Sequence, residues 1–592
     1  MPSITNRART PPYDLHGNGI PLEESAVEQK LQLSLSDQER IGGLTGWVAR
    51  KLLSAGDWIE REVEERRQTI GGIDNMWLLL TDATEFNPAT RRLEKKFPRY
   101  RQRLTSVGRK FHGARFEDDP RYNVENHVLC TTLPEPAGKR ELDDLMGKFI
   151  AQDWDLGKPL WEMILVENYH DEDGAECAII TRGHHTLADG QGFVISQLYM
   201  TSYHQDLVKM MTASAHHVKA AKQGRLQPSK VHPWLRPLDR FTDPSHVMIS
   251  PLIQLFLLSL FWSVYAFSVG FSFFLSTYQA VVQAGLFLVT CWRVDMLTTP
   301  QPGPRVTERE FSSSRTVRME DIKLCQRAFS GTYPGSAVKE MKAGGRSKVG
   351  HVTLNDLICS VMADVLGEER RYMPLDGTGW GRVKRMLKRY LPSPIGFFIP
   401  ISVRTPGDWS MRNLSTGSIV YLDPAPPRDI SPSSLHAHIH RCRSALSLLK
   451  HSIWPRVLFH LTQFTGHAPF FWPIPFAMVK VSGNVVREWI FLPLVRFALQ
   501  SFPVILTNVP GPAQRPIELE GVEVIGWTAL PPQGGKGTLG MGIISYAGGL
   551  CISVAADRVD GSEGVARRIC ERFEERFAVY VECAKDILDH QD

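Results

Sequence analysis

The sequence predicts an α/β (α+β) protein of two lobes with an inserted hydrophobic helical hairpin, and three observations carry that expectation. At 592 residues the chain is too long for one ordinary core, so two lobes of a couple of hundred residues each are expected. Short apolar runs bounded by turn residues alternate with helix-like stretches along most of the chain. One 46-residue run, Val247 to Trp292, holds no Asp, Glu, Lys, Arg or His.

Composition excludes some classes. The 43% hydrophobic content is ample for burial, and a net charge of +5 over this length does not suggest a nucleic-acid partner. Mild basicity suits an anionic ligand or a negatively charged membrane face, but only weakly. The nine cysteines are scattered from Cys130 to Cys583 without a CxxC pair. They fit neither a disulfide framework nor a zinc site, so a reducing compartment and no metal are expected.

Residues 1–20 lack the apolar core of a secretory signal and read as a disordered lead. Residues 21–70 are charged and helix-permissive, and read as a helical extension of unassigned role. An N-terminal lobe, 71–215, opens on DNMWLLL (Asp74 to Leu80), an apolar run suited to a buried strand. The basic stretch RRLEKKFPRYRQRL, residues 91–104, reads as a solvated helix and turn, with a phosphate-bearing ligand as the alternative partner. A strand at Asn126 to Thr131 and a helix at Arg140 to Trp154 follow.

PLWEMILVEN and AECAIITRGHHTLADG then form a predicted β-hairpin around a turn at Asp171 to Gly174. Ala178, Ile179 and Ile180 place its second strand in the core. His184 and His185 follow where that strand emerges, so a loop on a rigid strand end presents them.

A linker, 216–340, contains the charge-free run. One crossing needs ~20 apolar residues, so there is material for two, with Gly270 as a bend. The histidine motif lies before this run and the NDL segment after it. If both serve one site, an even number of crossings or a re-entrant hairpin is required. A pair of buried helices in a soluble protein is the alternative. Arg236, Arg240 and Arg293 balance Asp239, Asp243 and Asp295, so flanking charge sets no orientation.

In the C-terminal lobe, 341–592, NDL (Asn355 to Leu357) opens the helical stretch LNDLICSVMADVLGEE, with Thr353 or Asn355 as cap. DGTGWG, residues 376–381, reads as a turn-rich insertion. HAPFFWPIPFAM (His467 to Met478) is too proline-rich for a spanning helix and reads as an interfacial dip, a tunnel mouth or an ordinary loop. NVPGP (Asn508 to Pro512), after the strand FPVILT, reads as a fixed turn.

HHTLADG, His184 to Gly190, is the most informative segment because it supplies a base, a polar anchor and an open backbone within seven residues. A neutral imidazole with a pKa near ~6.5 can take a hydroxyl proton and return it to a leaving group in one turnover. Taken alone, a His-His pair reads as a packed surface or core pair. Here it is followed and preceded, in order, by PLWE, NDL, ISVR (Ile401 to Arg404), NVPGP and ISYAGGLCISVAAD (Ile544 to Asp557). This set resembles the wax ester synthase/diacylglycerol acyltransferase family, within the CoA-dependent acyltransferases, over most of the chain.

The resemblance implies two CoA-dependent-acyltransferase-like lobes with the active-site channel between them. It implies an O-acyltransferase that uses acyl-CoA as co-substrate, holds no bound cofactor, and esterifies a long-chain alcohol or diacylglycerol. His185 is then the general base and His184 supports it. Asp189 is structural and paired with Arg404 or Arg182. Gly190 and Gly192 leave room for substrate, Asn355 and Asn508 are polar candidates at the oxyanion, and Asp356 holds architecture. A sterol, polyketide alcohol or amine acceptor, or a non-catalytic lipid-binding protein of the same fold, are the alternatives. Where the family shows a GNxxG-like element, this chain reads RNLSTG, residues 412–417, without the first glycine. Residence at the endoplasmic reticulum membrane or a lipid droplet is expected, with both lobes on the cytosolic side.

Overall fold

The computed structural model describes residues 74–80, 96–105, 115–223, 307–331, 351–371, 394–404, 407–424, 430–451, 503–512, 515–534 and 537–590. It also describes residues 259, 263, 267, 270, 273, 274, 276–288, 297, 383, 455 and 459. The chain divides into two compact units, 1–64 and 65–592, and everything described lies in the second. The expected N-terminal lead and extension, DGTGWG, HAPFFWPIPFAM and most of the expected hairpin 247–292 fall outside the described residues.

The elements run β1 (Asp74–Leu80), β2 (Gln102–Thr105), β3 (Arg115–Asp118), β4 (Val128–Thr131), α1 (Lys139–Ala151), β5 (Trp161–Val166), β6 (Ala178–His184), α2 (Gly190–Tyr199) and α3 (His204–Gln223). They continue with β7 (Arg309–Ser313), β8 (Val317–Arg318), α4 (Met319–Ser330), α5 (Leu354–Arg371), β9 (Ile395–Ser402), β10 (Ser415–Leu422), α6 (Pro432–His451) and β11 (Val504–Pro510). The last are β12 (Glu518–Leu519), β13 (Val522–Glu523), β14 (Trp527–Leu530), β15 (Leu539–Tyr546), β16 (Gly549–Asp557) and α7 (Val565–Asp589).

Two sheets organise the fold, in the orders β14-β1-β6-β5-β4 and β10-β9-β11-β15-β16-β7. The predicted hairpin is β5 and β6, antiparallel, with Trp161 opposite Gly183 and Val166 opposite Ala178. Every residue of β6 is buried, as befits a strand flanked by β1 and β5 and covered on its faces. A Cβ at Gly183 would collide with the Phe193 ring, so this glycine lets α2 pack down onto the strand that precedes it.

In the second sheet the core residues of α7, Ile569, Phe573, Phe577, Tyr580, Ala584 and Ile587, recur at helical spacing and make one apolar stripe. That stripe shares a core with Leu357, Ile358, Val361, Met362 and Val365 of α5.

The two sheets exchange material, which shifts the expected domain limits. β14, from the C-terminal lobe expected at 341–592, pairs with β1 at the edge of the first sheet. A Cβ on Gly542 would collide with the Ala529 carbonyl, so this bare backbone is what lets β14 cross over β15. β7 pairs with β16 in the second sheet, although residues 309–313 fall in the expected linker 216–340. α1 packs on β7: the Arg309 guanidinium donates to the Ile150 carbonyl at 2.9 Å, and Lys139 reaches Ser313 at 2.9 Å.

A second correction concerns NVPGP. The strand β11 runs through Asn508, Val509 and Pro510 instead of stopping at Thr507. Pro510 is tolerated because β11 pairs with β9 only at Val504 and Ile505, leaving that edge free of a ladder requiring its missing N–H.

Among the described residues no helix is long and apolar enough to cross a membrane.

Candidate active site

The turn after β6 is built by short-range bonds. His184 is the last residue of the strand, buried, and Leu187 N–H donates back to its carbonyl at 2.8 Å. The Thr186 amide donates to His184 Nδ1 at 3.2 Å, and the Thr186 hydroxyl lies 2.8 Å from the same nitrogen. With Nδ1 accepting, the neutral ring carries its proton on Nε2. Trp154 stands edge-on to that ring at 5.8 Å. His185 is half-buried and sits in the turn itself.

Asp189 ends the turn and starts α2. Its Oδ1 accepts from the Gly192 amide at 2.7 Å, the geometry of an N-cap, and from Arg404 Nη2 at 2.8 Å. Its Oδ2 accepts from the Leu414 amide at 2.9 Å. The Arg404 and Asp189 side chains are only 4% and 2% exposed, so this is a buried, charge-assisted pair joining segments of the two sheets. Arg404 also donates to the Ser410 and Arg412 carbonyls at 2.5 and 2.8 Å, which folds the chain after β9 around the motif.

Arg182, the other candidate partner for Asp189, is committed elsewhere. It pairs with Glu162 at 2.6 Å, donates to the Phe149 and Gln152 carbonyls at the end of α1, and lies over the Trp154 ring. The expected room at Gly192 is also taken, because a Cβ there would lie 3.0 Å from Arg404 and 3.1 Å from Asp189. Its open α-carbon admits the ion pair. Gly190 begins α2 and is half-buried.

The NDL segment is placed by a reciprocal cap. The Asp356 carboxylate accepts from the Thr353 amide at 2.8 Å, and Asp356 N–H lies 3.4 Å from the Thr353 hydroxyl. Thr353 is therefore the cap, and Asn355 is released from that role. Asn355 instead accepts from the Asn508 amide at 2.6 Å across to β11.

The two asparagines line a cavity of about 280 Å³ whose walls include Ile399, Ile401, Leu446, Leu449 and Leu506. The Asn508 oxygen is buried there without a protein partner. Such a chamber, apolar with a few convergent amides, is suited to an apolar chain bearing a polar end.

Strand β9 connects this cavity to the histidine turn. Ser402 lines the cavity and donates to the Gln191 side chain of α2 at 2.8 Å, and two residues further on Arg404 reaches Asp189. The site residues thus fall into two bonded groups on either side of one strand end: the turn 184–192 with Arg404, and Asn355 with Asn508.

Sequence reading missed three contributors. Arg99 Nη1 lies 3.0 Å from the Leu187 carbonyl and 2.6 Å from that of Met411. Asn413 donates to the His185 carbonyl at 2.6 Å. Trp154 bridges Arg182 and His184. Asn413 lay within the departing RNLSTG element, the one signal that pointed at this contact. Arg99 lay hidden in a basic run.

Residues 69–236 match the wax ester synthase/diacylglycerol acyltransferase catalytic domain, and residues 472–579 match the C-terminal domain of the same family. A Mycobacterium tuberculosis protein named as a probable diacylglycerol O-acyltransferase is 34% identical over 92 residues, which are 16% of this chain and 19% of that protein. A second from that organism is 32% identical over 95 residues, 16% of this chain and 34% of its own length. The chain therefore matches well under two thirds of the length of these relatives.

Among solved structures, the wax ester synthase/diacylglycerol acyltransferase of Marinobacter aquaeolei VT8 superposes with a TM-score of 0.42 at 15% identity, covering 89% of this chain and 98% of that one. A trichothecene 15-O-acetyltransferase from Fusarium sporotrichioides gives 0.46 at 11% identity, covering 88% and 94%. The catalytic-domain match spans the HHTLADG turn, and the C-terminal-domain match spans β11, β15 and β16.

Proposed function

We propose that this protein transfers an acyl group from acyl-CoA to the hydroxyl of a long-chain alcohol or diacylglycerol, with His185 as general base and no covalent acyl-enzyme. The observation that carries the reading is the strand end at 402–404, which adjoins both the histidine turn and the apolar, amide-bearing cavity. His185 takes the proton as the hydroxyl oxygen attacks the thioester carbon. A C–O bond forms, the C–S bond breaks, and the proton returns to the CoA sulfur.

His184 supports the base through the turn it shares with Thr186, and Asn355 and Asn508 donate to the developing oxyanion, an interaction worth ~3–4 kcal/mol where one such donor has been removed elsewhere. Asp189 and Arg404 hold the turn and do not touch substrate.

Purified full-length protein given long-chain acyl-CoA with hexadecanol or diacylglycerol should release thiol and form ester. His185→Ala should cut that rate by about 10²–10⁴-fold while the protein stays folded. Wild-type turnover in that variant removes His185 from the mechanism. Acyl-CoA bound without thiol release, for any alcohol, diacylglycerol, sterol or amine offered, identifies a binding protein instead.

Association with a membrane through residues 247–292 belongs to the same proposal. It is supported by the charge-free run and by Phe267, Phe274, Tyr278 and Val281, which are 67–75% exposed. Flotation with liposomes tests it, and a tagged full chain tests residence at the endoplasmic reticulum or lipid droplets.

A further inference from the structure

We propose that Arg99 and Asn413 are positioning residues that aim the His185 ring by clamping the backbone of its turn, an inference that rests on His185 being the base. Three consecutive carbonyls in the turn after β6 accept hydrogen bonds from these two side chains. Asn413 Nδ2 donates to the first, that of His185, at 2.6 Å. Arg99 Nη1 lies 3.4 Å from the second, that of Thr186, and 3.0 Å from the third, that of Leu187. The same Arg99 nitrogen donates to the Met411 carbonyl at 2.6 Å. Residues 185–187 and 411–413 are thereby bracketed by two side chains, neither of which lies in the histidine motif.

Both donors are themselves held. Arg99 belongs to a 3-10 turn, Pro98–Arg101, anchored by the fully buried Tyr100, whose hydroxyl meets Ser196 of α2 at 2.7 Å. Its guanidinium lies 4.5 Å from the Phe116 ring centre, which limits how it can swing. Asn413 sits between two residues whose backbones are fixed by the ion pair: the Arg412 carbonyl accepts from Arg404, and the Leu414 amide donates to Asp189.

The consequence for the base is geometric. The carbonyl of His185 lies in the peptide plane that its ψ angle rotates, so fixing that oxygen fixes the Cα–Cβ direction and leaves the ring only its two side-chain torsions. A misplacement of ~1 Å at a reacting group can cost ~10²-fold in rate. Asp189 and Arg404 already secure the start of α2, so the clamp adds control over the base itself. It also lays a guanidinium against the backbone of the turn.

The test uses the purified full chain with acyl-CoA and its alcohol acceptor, after His185→Ala has been assayed. Asn413→Asp replaces the donor with an acceptor of the same shape, and Arg99→Met keeps length without charge. Each is expected to lower kcat by about 10–100-fold, with KM for acyl-CoA and thermal midpoint near wild type. Each should also move the acid limb of the pH–rate profile to higher pH, since an added carboxylate or a lost cation favours the imidazolium. Asn413→Ala should lower kcat and leave that limb in place.

Wild-type kcat in either folded charge-altering variant overturns the proposal. So does a fall in rate that tracks the unfolded fraction with no movement of the acid limb. Should Asn413→Asp fail to fold, Asn413→Ala replaces it: a lowered kcat at unchanged KM upholds the clamp, and a wild-type kcat overturns it. If His185→Ala is inactive and these variants are normal, only the clamp is wrong. If His185→Ala is active, the base assignment fails and takes the clamp with it.

Discussion

Two helix starts in this protein are held by an aspartate, Asp189 as the cap residue of α2 and Asp356 from inside the first turn of α5, and the difference between them separates local from global architecture. At the start of α2, Asp189 caps the Gly192 amide and also binds Arg404 and the Leu414 amide, 215 and 225 residues away in sequence. At the start of α5, Asp356 reaches back three residues to the Thr353 amide with one oxygen, and its other oxygen is buried without a protein partner. Both satisfy a helix terminus. Only the first also fixes one sheet's site turn against the other sheet's strand end. Its removal should therefore be felt in both halves, whereas loss of the second should be felt in one helix.

The largest effect expected from this contrast is that of Arg404→Ala. It strands a buried carboxylate, which costs about 3–5 kcal/mol in comparable pairs. Urea unfolding should report a loss of that size, and pairing it with Asp189→Asn should recover much of it. A loss under ~1 kcal/mol, the scale of exposed pairs, would place the two helix starts on the same footing.

A second contact between the halves gives a pH-dependent effect of intermediate size. Asp143 of α1 accepts from Lys139 at 3.1 Å and from Ser312 of β7 at 3.3 Å, and burial pushes its carboxyl from the ordinary 3.8 up to about 6. Because the folded value is the higher one, the fold holds this proton more tightly than the unfolded chain does. Its contribution is then most favourable below pH 3.8, declines as pH rises toward 6, and stays at its lower level above that. Relative to wild type, Asp143→Asn should lack this decline, on the order of 1–3 kcal/mol between pH 4 and pH 7. Parallel stability curves for the two proteins over that range would contradict the burial effect.

The smallest effect is at α5. Thr353→Ala removes one half of the reciprocal cap and should cost ~1 kcal/mol, with kcat and KM unchanged. A change in acyl-CoA KM there would mean that the cap also positions Asn355.

How far the sequence could be read depends on the range of the interactions involved. The hairpin of β5 and β6 was legible because Ala178, Ile179 and Ile180, the Asp171–Gly174 turn and the motif lie within a few residues of one another. The end of β11 was not, because whether Pro510 may sit in a strand depends on β9 diverging after two residue pairs. Nor was the crossing of β14 onto β1, which needs a bare Gly542 beneath Ala529, a steric fact between remote segments. Arg99 resembled a solvated cation because nothing near it in sequence accepts its hydrogen bonds. Its acceptors at Leu187 and Met411 are 88 and 312 residues away.

The sequence alone determined the β5–β6 hairpin and the turn at its end that carry His184 and His185, because the apolar alternation, the Asp171–Gly174 turn and the motif lie within a few positions of one another; the helix α2 behind Asp189 was not read from it. Tertiary structure decided which arginine answers Asp189, that Asn355 meets Asn508 instead of capping its helix, and which side chains hold the His185 turn. Those choices rest on distances between segments hundreds of residues apart, and only the packing of the two sheets sets such distances.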